Sequence, residues 1–306
     1  MIYALGAFDG FHIGHMRLLA RASERAAEND GGWGVITFDG HPRAFLNGGH
    51  FRMLFSPEER DITARRAGVH DMKKIRFTRE FADLSPEGFA DYIAERYDVS
   101  GLVIGENFRF AKDRAGTPEL LGKICAARGW SLDVIPSYML NGRIVSSTEV
   151  RKAVSDGKMR YAADLLGHPF MISGEVSHGD ERGRGIGVRT ANIMMREDKV
   201  YPPYGVYAAL VFIDGAWRAA ALNIGDNPTF GCAEARCEAH ILEYEGDLYG
   251  KELIFFITGE IRGEIKFGCA QELTAQISRD TACCLKVCGE YMSRGKSAMD
   301  GFAVLL

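Results

Sequence analysis

The sequence predicts two fold classes in succession: a parallel α/β domain over residues 1–168, then an antiparallel sheet or small barrel over residues 169–306 with a helix near its end. In the first half, short apolar runs alternate with amphipathic helical patterns, which is typical of a parallel sheet with helical crossovers. In the second half, short apolar runs alternate with Gly, Pro and Asn turns, which favours antiparallel strands. The pattern changes at Gly167-His168-Pro169.

In the first half, an apolar strand ends at the turn signal Asp9-Gly10, and the next helix carries its apolar residues on one face. Ser-Pro steps mark two later helix starts, and Gly68 and Gly129 mark helix ends. The predicted strands are 2–8, 33–38, 102–104 and 132–135, and the predicted helices are 16–29, 57–67, 86–97 and 118–128. In the second half, the predicted strands are 171–176, 205–213, 217–224, 239–244 and 253–261, followed by a helix over 271–288.

Composition excludes several classes of protein. A chain of 306 residues with 46% hydrophobic and 25% charged residues can bury a full core, which excludes a disordered chain, collagen and a disulfide-stabilised miniprotein. No apolar run reaches the roughly 18–20 residues of a spanning helix, and Asp9 interrupts the only N-terminal apolar run, so we expect a cytoplasmic protein without a membrane partner. The net charge is +1 over residues 1–168 and −5 over residues 169–306, which argues against polymeric nucleic acid as a main partner.

The seven cysteines are odd in number and form no C-x-x-C pair, which indicates reduced, buried thiols. Cys232, Cys237 and His240 could hold a metal ion in principle. Their spacing matches no strong zinc pattern, so we favour the interpretation without a metal.

The segment Gly6-Ala7-Phe8-Asp9-Gly10-Phe11-His12-Ile13-Gly14-His15 lies between the first strand and the first helix. Ligands of an open parallel sheet bind at the carboxyl ends of the strands, and a helix N-terminus there attracts phosphate. The glycines allow a ligand to approach the backbone closely. His12 and His15 are three residues apart and share one helical face, so both imidazoles could donate hydrogen bonds to phosphoryl oxygens. The plainer alternative is a glycine-rich turn with surface histidines.

A second candidate element is Ser146-Ser147-Thr148-Glu149-Val150-Arg151, which opens another predicted helix. Hydroxyl groups and an arginine at a helix start can bind phosphate. Alone, this pattern would indicate only a helix cap. Together with the histidine segment, it predicts the opposite wall of one nucleotide site.

These segments resemble the nucleotidylyltransferase superfamily, and more closely the bifunctional riboflavin kinase/FMN adenylyltransferase (prokaryotic FAD synthetase) family. TFDGHPRAFL, GENFRFAKDRAG and ADLLGHPF also resemble elements of that family, and the similarity runs in order from residue 3 to about residue 280. The resemblance implies a Rossmann-like nucleotidylyltransferase domain over 1–168 and a β-barrel riboflavin kinase domain over 169–306. It also implies phosphorylation of riboflavin to FMN and adenylylation of FMN to FAD, with ATP as co-substrate and Mg²⁺ as cofactor.

For the adenylyltransferase, the resemblance implies that His12, His15 and Arg151 act on the reacting phosphates. Ser147 and Thr148 would hold the triphosphate with Arg151, and Asn107 would position the ligand. Gly6 and Asp9 would line the nucleotide site. Such catalysis consists mostly of positioning and charge stabilisation.

The second half contains no G-x-x-x-x-G-K-[ST] motif, which disfavours a Walker-type ATPase. Its glycine-rich stretch, which includes Gly179 and Gly187, could cradle phosphates or could be a hairpin. The segment GRGIGVRTAN resembles the family's kinase signature, which implies that Thr190 and Asn192 serve Mg²⁺ and the ATP phosphates. EAHILEYEGDLYG also resembles a family element, and the match implies that Glu238 is the general base for the ribityl hydroxyl. Its alternative is an ordinary strand carboxylate.

Three residues depart from the family pattern: Arg189 and Gly40 each replace a proline, and Ala111 replaces a glycine. Arginine leaves φ unrestrained and adds a cation beside the predicted phosphate site. Ala111 would be strained if its loop requires a positive φ. The competing hypotheses are therefore retention of the adenylyltransferase alone, and a non-catalytic regulator that binds flavin or nucleotide. A nucleic-acid-binding barrel conflicts with the negative charge of the second half.

Overall fold

The computed structural model of this protein describes residues 1–46, 48, 51–177, 190–226 and 235–306. The chain divides into two compact units. The first comprises Met1–Met53 and Thr63–Ser147, and the second comprises Leu54–Ile62 and Thr148–Leu306. The predicted division at 168/169 stays a prediction of domain bounds.

The first unit contains a five-stranded parallel sheet in the order β3-β2-β1-β4-β5. Its strands are β1 (Ile2–Leu5), β2 (Trp33–Asp39), β3 (Met72–Arg76), β4 (Gly101–Gly105) and β5 (Ser131–Ile135). The α-helices that begin before residue 147 are α1 (Ile13–Ala27), α2 (Pro42–Leu46), α3 (Pro57–Arg66), α4 (Arg79–Ala82), α5 (Pro86–Arg96) and α6 (Pro118–Ala127). A short hairpin of β6 (Met139–Leu140) and β7 (Arg143–Ile144) follows β5.

The predicted parallel α/β fold is confirmed, and its cause is visible in β1 and α1. All four residues of β1 are buried because helices cover both faces of a parallel sheet. The predicted apolar face of α1 is also buried, and it comprises Leu18, Leu19, Ala22 and Ala26. The strand order reverses at β1, so β2 and β4 flank it on opposite sides. Ligands of such sheets bind at the carboxyl ends of the strands beside this point.

The second unit contains a closed antiparallel barrel in the order β10-β11-β12-β9-β8-β13, which confirms the predicted barrel. Its strands are β8 (Phe170–Ser177), β9 (Ala191–Ile193), β10 (Gly205–Ile213), β11 (Ala216–Asp226), β12 (Ala235–Ile241) and β13 (Glu252–Gly263). Two helices, α7 (Ser147–Ser155) and α8 (Met159–Leu166), precede the barrel, and α9 (Ala270–Ala303) follows it. The predicted C-terminal helix is thus confirmed, and it runs past residue 288.

Helix α9 packs against β10, β11 and β13. Its buried face includes Cys284, Cys288 and Phe302, and Arg262 of β13 forms an ion pair with its Asp280 at 2.9 Å. One side of the barrel is therefore covered by a helix. Among the helices of the described residues, none is long and apolar enough to cross a membrane.

A buried ion pair ties the segment 54–62 into the second unit. Glu59 and Lys199 are 0% and 1% exposed, and the Lys199 ammonium donates to the Glu59 carboxylate and, at 2.6 Å, to the Leu54 carbonyl oxygen. Glu59 also accepts hydrogen bonds from the backbone N–H groups of Ser173 at 2.7 Å and Ser56 at 3.0 Å. Because buried charges are tolerated only when they are paired and hydrogen-bonded, this cluster specifies one position for the segment.

Candidate active sites

The loop between β1 and α1 is held in an unusual backbone conformation. Phe8 and Phe11 have φ values of 47° and 38°, and Gly10 between them has a φ of 87°. Both phenylalanine side chains are fully buried, with ring centroids 5.3 Å apart. Left-handed φ at non-glycine residues persists only where packing imposes it, and such strain concentrates at functional sites. Burial of the two rings thus fixes the path of the loop at the carboxyl end of β1.

His12 is the N-cap of α1, and its Nδ1 accepts a hydrogen bond from the His15 N–H at 3.3 Å. The two imidazoles stack with centroids 3.6 Å apart and an interplanar angle of 15°. Burial lowers the pKa of His12 to about 4 and holds the pKa of His15 well below its ordinary value. A neutral imidazole whose Nδ1 accepts must carry its proton on Nε2. His12 therefore presents a fixed Nε2–H donor.

Gly14 leaves room for the His12 ring of this stack. A Cβ at Gly14 would lie 3.1 Å from the Cε1 and Nδ1 atoms of His12 and 3.6 Å from the Val145 carbonyl oxygen. Ser147, which belongs to the second predicted phosphate-binding element, also contacts this loop: its hydroxyl donates to the Asp9 carbonyl oxygen at 2.8 Å. The structure thus brings together His12, His15, Asp9 and Ser147. At Gly6, a Cβ would lie 3.3 Å from the ring of Phe8.

Asn107 follows β4, on the other side of the point where the strand order reverses. Its side-chain amide donates to the Ser137 hydroxyl at 3.0 Å, and the Ser137 N–H donates to the Glu106 carboxylate at 3.1 Å. Sequence reasoning missed Ser137, although it follows the predicted strand 132–135. Thr148 and Arg151 lie on α7 and belong to the second unit.

Two of the residues that depart from the family pattern, Gly40 and Ala111, have a positive φ. Gly40 has a φ of 79°, which proline cannot adopt. Ala111 has a φ of 63° and a ψ of −179°, a region that essentially only glycine occupies. Arg189 lies outside the described residues.

Replacing Ala111 by glycine is expected to raise the free energy of unfolding of the first unit by about 1 kcal/mol, because strain of this kind costs about 1–3 kcal/mol and a partly buried methyl group is lost. Ala115 is the matched control: its φ of −64° suits alanine, so Ala115→Gly should lower stability by about 0.4–1 kcal/mol. Urea unfolding of both variants checks the prediction. A loss of stability in both variants would contradict the assignment of strain to Ala111.

In the second unit, Glu238 lies on β12 between two asparagines of the neighbouring strands. Its register partner on β9 is Asn192, and its partner on β11 is Asn223. Directly opposite residues of antiparallel strands have Cβ atoms about 4.5–5.5 Å apart and share one face. The predicted base and one predicted Mg²⁺ ligand are therefore neighbours. Ser177 continues this row on β8 as the register partner of Asn192.

This row lies on the outer face of the barrel. Cys237, Ala239 and Ile241 alternate with Glu238 along β12 and are buried, whereas Glu238 and His240 are half-exposed. Thr190 immediately precedes β9. Sequence reasoning missed Asn223, because its place beside Glu238 depends on the register between β11 and β12.

The donor set near Glu238 suits Mg²⁺, since hydroxyl, amide and carboxylate oxygens are hard ligands. Gly179 and Gly187, the predicted phosphate cradle, lie outside the described residues, as does Cys232. Within the described ranges no group of three or more His, Cys, Asp or Glu side chains could hold a metal ion. Cys237 is buried in the barrel, and burial raises the pKa of its thiol to about 12.

Comparison with known proteins extends over both units. The FAD synthetase family model matches residues 1–149, and the riboflavin kinase family model matches residues 166–288. Bifunctional riboflavin kinase/FMN adenylyltransferases of Escherichia coli K12 and Listeria monocytogenes are 36% and 33% identical over 282 residues, which is 91% of this chain and 90% of each relative.

The protein of the same name from Bacillus subtilis is 31% identical over 284 residues, 91% of this chain and 90% of that protein. A solved structure described as a macrolide-efflux protein from Streptococcus pneumoniae has a TM-score of 0.84 at 31% identity and covers 92% of each chain. Three relatives and one solved structure above 30% identity establish common ancestry over about nine-tenths of the chain. The chain belongs to the bifunctional riboflavin kinase/FMN adenylyltransferase family.

Proposed function

We propose that this protein phosphorylates riboflavin to FMN and adenylylates FMN to FAD, with ATP as the phosphate and adenylyl donor. The observation that carries the proposal is the similarity of both halves to family members over about 91% of the chain. The site residues add support, because the polar groups that each reaction needs occur at matching positions in both units.

In adenylyl transfer, a phosphate oxygen of FMN attacks the α-phosphorus of ATP, and pyrophosphate leaves. His12 donates its Nε2–H to a phosphate oxygen, and His15 stacks against it and keeps it oriented. Asn107 positions the ligand on the β4 side, where it is hydrogen-bonded to Ser137. Thr148 and Arg151 hold the triphosphate, and Gly6 and Asp9 line the nucleotide site. Neutral histidines suit this role because a hydrogen bond is required and no proton is transferred.

In the kinase reaction, the terminal ribityl hydroxyl attacks the γ-phosphorus of ATP, and ADP leaves. Glu238 accepts the hydroxyl proton, and Asn192 lies directly opposite it across the strand pair. Thr190 and Asn192 would hold Mg²⁺, which supplies charge neutralisation for the phosphates when bound. Gly179 and Gly187 are proposed to cradle the phosphates with their backbone N–H groups.

Chromatographic separation of flavins over time tests the proposal, with one incubation that starts from riboflavin, ATP and Mg²⁺ and another that starts from FMN. Appearance of FMN and then FAD supports both activities. FAD from FMN with riboflavin unconverted would leave only the adenylyltransferase. Absence of conversion from either start, with tight flavin binding, would indicate a binding protein.

His12→Asn is expected to lower the rate of FAD formation by about 10²-fold, because removing one preorganised donor costs about that much. Asparagine is a strong N-cap residue, so its side-chain oxygen can replace Nδ1 as acceptor for the His15 N–H while the Nε2–H donor is lost. Riboflavin phosphorylation by the same variant is the internal control and should not change. Unchanged FAD formation would remove His12 from the reaction.

A further inference from the structure

A row of polar side chains crosses neighbouring strands on the outer face of the barrel. Asn192 of β9 is the register partner of Ser177 on β8 and of Glu238 on β12. On its other side, Glu238 has Asn223 of β11 as its partner. Because adjacent strands are spaced by about 4.7–4.9 Å, the backbones of Asn192 and Asn223 lie roughly 9–10 Å apart. The proposed general base therefore has one asparagine on each flank.

The two flanks of Glu238 have different tasks in the proposed kinase reaction. On the β9 flank, Thr190 and Asn192 are proposed to hold Mg²⁺ and the ATP phosphates. The attacking and leaving oxygens lie roughly in line across the phosphorus atom, so the carbon chain of the attacking alcohol extends away from the phosphates. With its terminal hydroxyl at Glu238 and the phosphates on the β9 flank, the acceptor chain has the β11 flank left to it.

Asn223 is the polar group on that flank. It is exposed, whereas Leu222 and Ile224, which precede and follow it on β11, are buried in the barrel. Its neighbours along the outer face are Ala221 and Gly225, and these small residues leave the Asn223 amide open to a ligand that lies on the strand. Within the described residues this amide makes no hydrogen bond. Asparagine is uncommon in strands, and here it adds nothing to the core, so neither packing nor hydrogen bonding accounts for it.

The chemistry of an amide matches that of a polyol. Each hydroxyl of a ribityl chain donates one hydrogen bond and accepts others, and an asparagine amide both donates and accepts. A Glu264 carboxylate oxygen lies beside Gly225, 3.1 Å from where a Cβ would be, so the surface beyond Asn223 stays polar. A site that hydrogen-bonds a substrate hydroxyl discriminates strongly against an analogue without it. Asn223 is therefore placed to distinguish a polyol chain from an alkyl chain.

We propose that Asn223 binds a secondary hydroxyl of the ribityl chain and thereby makes the kinase selective for flavins that carry a polyol. The inference rests on the proposed kinase function and adds the orientation of the acceptor: the phosphates lie on the β9 flank of Glu238, and the ribityl chain lies on the β11 flank. The competing role for Asn223 is to orient the Glu238 carboxylate, which would affect every acceptor equally.

Kinetics with two acceptors separates these roles. The first acceptor is riboflavin, and the second is the flavin whose ribityl chain is replaced by 5-hydroxypentyl, which keeps the terminal hydroxyl and lacks the secondary ones. We expect Asn223→Ala to lower kcat/KM for riboflavin by about 10-fold, the effect of losing one hydrogen bond, and to change it for the analogue by less than about twofold. The KM for ATP should stay within about twofold of its original value. Glu260→Ala, at another exposed strand residue of the barrel, is the matched control and should leave both kcat/KM values unchanged.

An equal loss of kcat/KM for both flavins would assign Asn223 to the orientation of Glu238 and overturn the proposal, as would an unchanged preference for riboflavin. Asn223→Ser keeps a hydrogen-bonding group and should retain part of the preference, and urea unfolding of each variant verifies that the barrel is intact. Failure of the proposed function is distinguishable, because the unmodified protein would then leave riboflavin unconverted, whereas failure of this inference appears only in the Asn223 variants.

Discussion

Glu238→Gln is expected to lower the turnover of riboflavin phosphorylation by about 10²–10⁴-fold, the usual contribution of a general base. Glutamine has nearly the same shape as glutamate and keeps the hydrogen-bonding capacity of the strand face, but it cannot accept the ribityl proton. The effect should appear in kcat, because binding of riboflavin and ATP does not need the transferred proton. FAD formation from FMN by the same variant should not change.

Glu260→Gln is the matched control for this prediction. Glu260 is an exposed carboxylate of the same barrel, on β13, which is not adjacent to β12 or β9. It should leave both activities unchanged. Chromatographic assays from riboflavin and from FMN measure both reactions on one preparation. If Glu238→Gln retained full kinase turnover, Glu238 would be an ordinary strand carboxylate.

Glu59→Gln is expected to lower the free energy of unfolding of the second unit by about 3–5 kcal/mol. The substitution removes the carboxylate charge that faces the fully buried Lys199 ammonium, and no packing is gained in return. Glu59 is not among the residues proposed for catalysis, and its role here is structural. The loss therefore measures how strongly the segment 54–62 is built into the second unit.

The chain offers a specific reporter for this measurement. Of its three tryptophans, Trp33 and Trp130 lie in the first unit and Trp217 in the second. In a Trp33→Phe/Trp130→Phe background, fluorescence during urea unfolding reports on the second unit. Adding Lys199→Met to Glu59→Gln removes the buried cation and should recover most of the stability, since an amide oxygen can still accept from the Ser173 N–H. A change below about 1 kcal/mol for Glu59→Gln would contradict the prediction.

The sequence was sufficient for the fold class because hydrophobic periodicity is local. The buried face of α1 and the helix starts after Ser85 and Thr117 follow from spacing and from the Pro that comes next. Both cap hydroxyls accept a backbone N–H of the first turn. Strand β3 was missed because three of its five residues are Lys or Arg; it is an edge strand, where such charges are favoured. The hairpin of β6 and β7 was missed although Asn141-Gly142 is a strong turn signal.

Proximity between candidate site residues could be predicted where the residues lie in one short motif. His12 and His15 are local partners, and sequence spacing was enough to place them together. Asn223 beside Glu238, and Ser147 against Asp9, depend on barrel register and on a contact across 138 residues. No pattern within a single segment encodes such contacts, so resemblance could suggest which residues matter but not what each one touches.

The pairing of Glu59 with Lys199 also sets an order of events during translation. The two residues are 140 positions apart, so at about 5–20 residues per second the ribosome delivers Lys199 roughly 7–30 s after Glu59. In that interval residues 63–147, which include three of the five strands of the first unit's sheet, are synthesised before Lys199. Defects in this cluster should therefore appear first as reduced yield of folded protein and exposure to proteases in the cell, with the enzyme that does mature showing ordinary turnover.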